Sequence, residues 1–339
     1  MQTVVLNNPG QLALIDRPQP TSPGPGEALV KVMRVGVCGT DIHAFRGKQP
    51  FFSYPRVLGH ELGVEVLSLG AGQHSLAVGD RCAVEPYLNC GTCIACRNGK
   101  TNCCTQMRVL GVHVDGGMCS QLVLPSSKLH RSPKLSFDQL ALVETLGIGA
   151  HAVHRAQVRA DEWALIIGAG PIGLAALQFV IAVGARPIVM EPNASRADFC
   201  RRAFGVTHLI DPNNDPVTRL QQITDGDMPT VVFDATGNPG SMMKSFSFPA
   251  HGGRLVFIGL FVGDVTFHDP DFHRRELTLL ASRNSLPDDF TRIIKLVEDG
   301  VVSTLPWITH RAALVDLPGK FSQWVAPDSG VLKAVVEVP

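Results

Sequence analysis

Five cysteines crowd residues 90–104, CGTCIACRNGKTNCC, at Cys90, Cys93, Cys96, Cys103 and Cys104. The chain carries nine cysteines, an odd number. Its first ten residues, MQTVVLNNPG, lack the charged start and long apolar core of a signal peptide, so a cytoplasmic location is expected. In a reducing compartment a dense cysteine cluster holds a metal more often than disulfides. The bacterial iron–sulfur run C-x2-C-x2-C-x3-C-P shares only its first two spacings with Cys90, Cys93 and Cys96; the close fourth cysteine and the proline are missing. Four thiolates around tetrahedral zinc fit better, and such a shell is closed to substrate. Five cysteines leave open which four take part.

A second set of ligand-type residues is sparser. VGVCGTDIH (35–43) holds Cys38, Thr40, Asp41 and His43; RVLGHELG (56–63) holds His60 and Glu61; LVET (142–145) holds Glu144. One thiolate, one imidazole and one carboxylate make a zinc shell that keeps a position open for water or substrate. Other candidates read as structure. Cys82, Cys119 and Cys200 suit small buried apolar positions, and His113, His151 and His154 are expected to be structural. Glu85, in VEPY, is not expected to bind metal.

Gly168-Ala169-Gly170-Pro171-Ile172-Gly173 is a G-x-G-x-x-G that follows the strand-like WALIIG and opens a helical pattern. Gly168 permits the tight turn, Gly170 lets a pyrophosphate approach, and Gly173 lets helix pack on strand. Free N–H groups at the helix start then meet the phosphate charge. Glu191 ends the next strand, where a carboxylate accepts from ribose hydroxyls and repels a 2′-phosphate, so NAD is expected over NADP. Arg196 is a further candidate at the adenosine ribose. The segment 234–238, DATGN, is expected along the cofactor crevice through Ala235 and Thr236, with Gly259 and Leu260 after the following strand; Asp211 reads as an ordinary turn.

These groups need a scaffold. At 339 residues two domains are expected. Residues 1–140 read as short strands, such as MQTVVLNN, QLALIDR, EALVKVMRVGV and LGVEVLSLGAG, separated by the Pro- and Gly-rich DRPQPTSPGPGE. From about residue 145 helical and strand patterns alternate: WALIIGAG, RPIVMEPN, HLIDP, TVVFDATG and GGRLVFIGLF with helices between them. That alternation predicts a parallel sheet covered on both faces. A helix, PDDFTRIIKLVEDG, and a last strand, VLKAVVEVP, close the chain. Net charge is zero, so neither nucleic acid nor an anionic membrane surface is an expected partner. The longest apolar run, LAALQFVIAVGA, is too short to span a bilayer.

Taken together, GVCGTDIH, GHE, the cysteine lobe, VETLGIGAHAV, GAGPIGL and DATG resemble the zinc-containing medium-chain dehydrogenases that act on alcohols, polyols and threonine. FFSYPRVLGHE, DPDFHRRE and SRNSLPDDF resemble the sugar-acid branch of the L-galactonate 5-dehydrogenase type. The resemblance implies an α/β architecture: a GroES-like β-barrel catalytic domain over 1–146 with a structural zinc lobe at 90–104, a Rossmann NAD-binding domain over 147–286, and a return to the catalytic domain over 287–339. It assigns Cys38, His60 and Glu144 to catalytic zinc, with Glu61 an alternative ligand, and Asp41 orienting His60. By the same resemblance Cys90, Cys93, Cys96 and Cys104 hold structural zinc, leaving Cys103 out. Thr40 takes the substrate hydroxyl proton and passes it through the cofactor ribose to His43, while hydride goes to NAD. The implied substrate is a secondary alcohol of a sugar acid or polyol, with threonine or a simple alcohol as alternatives, and the implied assembly is a homodimer or homotetramer. A non-catalytic NAD-binding regulator would be expected to have lost the Cys38, Thr40, His43 and His60 set. Three positions depart from the family: Thr145 stands where Pro is usual, Val64 where Gly is usual, and Ala281-Ser282 where polyol members carry Arg-Tyr.

Overall fold

The computed structural model describes residues 1–50, 52–72, 75–326 and 328–339. It divides into two compact units, Met1–Thr145 with Ser285–Pro339, and Leu146–Asn284. Among the described residues no helix is long and apolar enough to cross a membrane.

The first unit is built on strands. Its largest sheet runs, edge to edge, Leu129–Arg131, Arg81–Val84, Glu61–Leu69, Glu27–Val37, Lys333–Glu337 and Ile308–Ala313, with Gln121–Pro125 also paired to Glu27–Val37. Alternation along Glu27–Val37 buries Ala28, Val30 and Val32, and past a register shift between Val32 and Arg34 the buried set resumes at Val35. They share a core with Leu62, Val64 and Val66 of the neighbouring strand and with Phe321 and Trp324 near the C-terminus. Val64, the departure from the family's glycine, is fully buried there.

The chain's last strand, Lys333–Glu337, inserts antiparallel beside Glu27–Val37, with Val335 opposite Gly36. On the other side Gly36 faces Glu61. Gly36 therefore separates Glu61 from the strand that carries Lys333, and it has no side chain to place between them. A Cβ on Gly36 would lie 2.0 Å from Glu61 Oε2 and 2.9 Å from Glu61 Cβ. This close approach is what lets Lys333 reach across the middle strand to Glu61.

The second unit is one parallel sheet in the order His208–Ile210, Arg186–Met190, Trp163–Ile167, Val231–Asp234, Arg254–Phe257, Thr278–Ala281. Numbered along the chain this is 3-2-1-4-5-6, so the winding reverses between Trp163–Ile167 and Val231–Asp234. The central strands are buried nearly throughout, as the continuous apolar runs predict. Helix Pro171–Ala182 is apolar on most sides because most of its residues are buried.

Gly36→Ala is expected to lower stability by about 1–3 kcal/mol, the usual cost of forcing atoms into a packed interior. Denaturant titration of purified protein measures it, and an unchanged midpoint would show that Glu61 yields freely.

Candidate active site

Cys38 sits where strand Glu27–Val37 ends and helix Gly39–Phe45 begins. The turn is locked by Asp41, whose Oδ2 accepts from the Cys38 backbone N–H at 2.9 Å while Oδ1 accepts from Gly59 N–H at 3.3 Å. Asp41 thus joins the Cys38 turn to the turn that precedes His60. Its Oδ1 lies 4.0 Å from His60 Nδ1, an electrostatic contact and not a hydrogen bond. Thr40 and His43 fall three apart on the same short helix and so share a face. Thr40 is half-buried, whereas His43 faces solvent. Partial burial, then the charges of Arg46 and Lys48, hold the His43 pKa below the usual imidazole value, which favours its neutral, proton-accepting form.

Ligand atoms of Cys38, His60 and Glu61 lie within 4.8 Å of one another. Glu144, in the first turn of helix Val143–Arg155, is buried close enough to His60 and Glu61 to act on both electrostatically, and its Oε1 accepts a hydrogen bond from the Tyr87 hydroxyl. The region is crowded with acids: Asp41 and Glu61 are wholly buried and Glu144 is 5% exposed. Burial raises the pKa of Asp41 and of Glu144. Burial would lower that of His60, but the charges of Cys38, Asp41 and Glu144 outweigh it, together with a hydrogen bond to Cys38, and raise it well above the usual value. A buried imidazole that gathers a proton among a thiolate and carboxylates marks a site made for a cation. The donor set fits zinc, whose binding displaces such protons.

The countercharge within the chain is Lys333. Its Nζ donates to Glu61 Oε1 and Oε2 at 2.7 and 2.8 Å and to Val37 O at 3.2 Å. Burial pushes Glu61 up, but Lys333 and His60 bring it below the usual carboxylate range. Neither Lys333 nor Tyr87 stands out in the sequence as a site residue. A lysine interrupting the apolar strand VLKAVVEV, and one of only two tyrosines just before the cysteine lobe, were the available signals.

The lobe is a separate centre. Sulfurs of Cys90, Cys93, Cys96 and Cys104 form one compact group, while Cys103 is exposed. Backbone N–H groups aim at these sulfurs: Cys90 N and Gln106 N at Cys104 Sγ, both 3.3 Å, and Cys93 N at Cys90 Sγ, 3.4 Å. Hydrogen bonds from the Cys96 and Thr105 backbones bring the Cys93 thiol down to about 5, favouring thiolate. Within 90–104 only Asn102 and Cys104 are buried. A metal held by four thiolates would supply a cross-link that so little burial does not.

In the second unit Gly168 adopts φ +94°, and a Cβ on Gly173 would meet Gly168 O at 1.8 Å, so the turn admits only glycine there. A cavity of about 650 Å³ opens where the sheet winding reverses, lined among others by Gly168, Gly170, Glu191, Arg196, Ala235 and Thr236. That is the position where doubly wound sheets bind dinucleotides. Glu191 Oε2 accepts from Ala169 N–H at 2.6 Å and Oε1 from Asn193 N–H at 2.9 Å, so it braces the glycine turn. Asp234, fully buried, accepts from the Thr236 and Ser241 hydroxyls, each at 2.6 Å, and fixes the DATGN loop. Pro171, Ile172, Gly173, Gly259 and Leu260 do not line the cavity: Pro171 opens the helix, Gly259 packs on Gly237, and Leu260 is 74% exposed. Asn213, Ser241 and Lys244 line it without having been expected.

Residues 24–134 match the family described as the alcohol dehydrogenase GroES-like domain, and residues 171–299 match the zinc-binding dehydrogenase family. The chain belongs to the zinc-binding alcohol dehydrogenase family. Its first unit is accordingly the GroES-like domain and its second the Rossmann-type domain. The L-galactonate-5-dehydrogenase of Escherichia coli K12 is 39% identical over 99% of this chain and 98% of its own length. Among solved structures, the Escherichia coli CFT073 alcohol dehydrogenase RspB, complexed with NADH, superposes with a TM-score of 0.92 at 28% identity, covering 99% of both chains. A zinc-binding dehydrogenase of Sinorhizobium meliloti 1021, bound to NADP, gives 0.91 at 28%, covering 99% and 98%. This dehydrogenase is therefore a zinc-type enzyme acting on CH–OH groups.

Two predictions follow from the charge layout and the lobe. Lys333→Met leaves Glu61 buried without its cation and is expected to cost about 3–5 kcal/mol, read by denaturant titration. Cys104→Ser is expected to release one zinc per chain and expose 90–104 to rapid hydrogen exchange. Cys38→Ser is expected to release the other zinc and leave that segment protected.

Proposed function

We propose that this enzyme oxidises a secondary alcohol of a sugar acid or polyol, with L-galactonate as the leading substrate, and uses NAD. The observation that carries the reading is the mixed donor set of Cys38, His60 and Glu61, whose ligand atoms lie within 4.8 Å of one another, beside the full-length likeness to an L-galactonate-5-dehydrogenase. Zinc bound by this set would lower the pKa of an alcohol hydroxyl, as it lowers that of bound water to about 7. Cys38 and His60 serve as fixed ligands, with Glu61 and Glu144 as the carboxylates available to complete the shell. Asp41 holds the Cys38 and His60 turns at their spacing. Thr40 relays the substrate proton, taking it up as its own hydroxyl proton leaves by way of the cofactor ribose for His43, which passes a proton to solvent. Glu191 favours NAD, since a 2′-phosphate beside its carboxylate would meet like charge.

Arg196 and Lys244 line the same cavity, so the preference for NAD over NADP is expected to be graded. Glu191→Ala is expected to raise KM for NAD at least tenfold and to narrow the gap to NADP, since the substitution removes a ribose acceptor and loosens the turn at Ala169.

Screening cofactor reduction across aldonates, polyols, threonine and simple alcohols tests the reading. Turnover of L-galactonate above all others, lost on chelation and restored by zinc, is expected. Faster turnover of threonine or of a simple alcohol would replace the substrate assignment, and turnover that survives complete zinc removal would defeat the catalytic metal.

A further inference from the structure

Tyr87 is buried to within 2% of its surface, yet nothing in a packing role requires its hydroxyl, since phenylalanine would fill the same space. The ring is held by its surroundings. Strand Tyr87–Leu88 pairs with Arg108–Val109 across the neck of the cysteine lobe. Phe290, from helix Pro287–Glu298, meets the ring edge-on at 6.5 Å between centroids. The phenol donates to Glu144 Oε1.

The two carboxylates of the pocket are thereby held differently. Glu61 turns both oxygens to the Lys333 ammonium. Glu144 has Oε1 held by the Tyr87 hydroxyl and acts electrostatically on His60 from beside the Cys38, His60 and Glu61 group. We propose that Tyr87 is a positioning residue that fixes Glu144 as a one-oxygen ligand of the catalytic metal. Its inference rests on the metal reading above. A buried acid that loses this hydrogen-bond donor would rotate or bind through both oxygens, changing coordination number and metal retention. Partners that orient metal ligands in this way are commonly worth 10–100-fold in affinity.

The test uses the full-length enzyme with cobalt(II) at the catalytic site and zinc in the lobe. Tyr87→Phe is expected to shift the visible cobalt bands and to speed chelator removal of cobalt at least tenfold, with lobe zinc retained. In a Glu144→Gln background the same substitution is expected to change neither the bands nor the rate further, because the coupled partner has already been altered. Unchanged bands and rate in Tyr87→Phe, or an equal effect in both backgrounds, would overturn the proposal. Should Tyr87→Phe fail to fold, 3-fluorotyrosine at position 87 keeps ring and hydroxyl while altering donor strength; it is expected to shift the bands by a smaller amount, and no shift would overturn the proposal. If unaltered protein shows no cobalt–thiolate absorption that Cys38→Ser removes, the metal reading fails and this proposal fails with it.

Discussion

Taking several acids out of water in one place is costly unless cations accompany them. Asp41, Glu61 and Glu144 are all buried beside Cys38, and among the described residues Lys333 is the buried ammonium bonded to one of them, Glu61. Its pairing with Glu61 organises the first unit. It requires the C-terminal strand to insert next to Glu27–Val37, and it requires a residue without a side chain at Gly36. The last strand of the chain thus completes a site whose other residues come from the first 145. Lys333 neutralises only one acid. Cys38, Asp41 and Glu144 raise the pKa of His60, and a divalent metal bound here would supply positive charge in place of that proton.

Much of this was legible in the sequence because chemistry and backbone geometry constrain few residues tightly. Cys38, His60 and the four lobe cysteines are ligand types in short, distinctive contexts, and each group proves compact in space. The glycine turn at 168–173 was equally legible, since only glycine tolerates φ +94° and the 1.8 Å approach there. What escaped depends on register between distant strands. Lys333 joins the site because the sheet order places it across Gly36 from Glu61. Tyr87 joins it because helix Val143–Arg155 brings Glu144 to its hydroxyl.

The two cysteine-containing centres divide their work by composition. The lobe offers four sulfurs, several N–H···S bonds and almost no buried surface, which suits a structural cross-link. The Cys38 pocket offers one sulfur, one imidazole and carboxylates within a sheet core, which suits an open, reactive metal. The dinucleotide cavity lies in the other unit at the reversal of the parallel sheet. Each unit therefore binds what its architecture favours: the β unit supplies converging strand ends for ligands, and the α/β unit supplies a glycine turn and a free helix N-terminus for phosphate.

The central claim is that a mixed-donor metal centre at Cys38 exists apart from the all-sulfur lobe. Anomalous diffraction at the zinc edge, on crystals of the full-length zinc-loaded enzyme, tests it most directly. Two peaks per chain are predicted, one enclosed by Cys90, Cys93, Cys96 and Cys104, the other in contact with Cys38, His60 and at least one of Glu61 and Glu144. A single peak confined to the lobe, with Cys38 and His60 ordered and unliganded, would contradict the account.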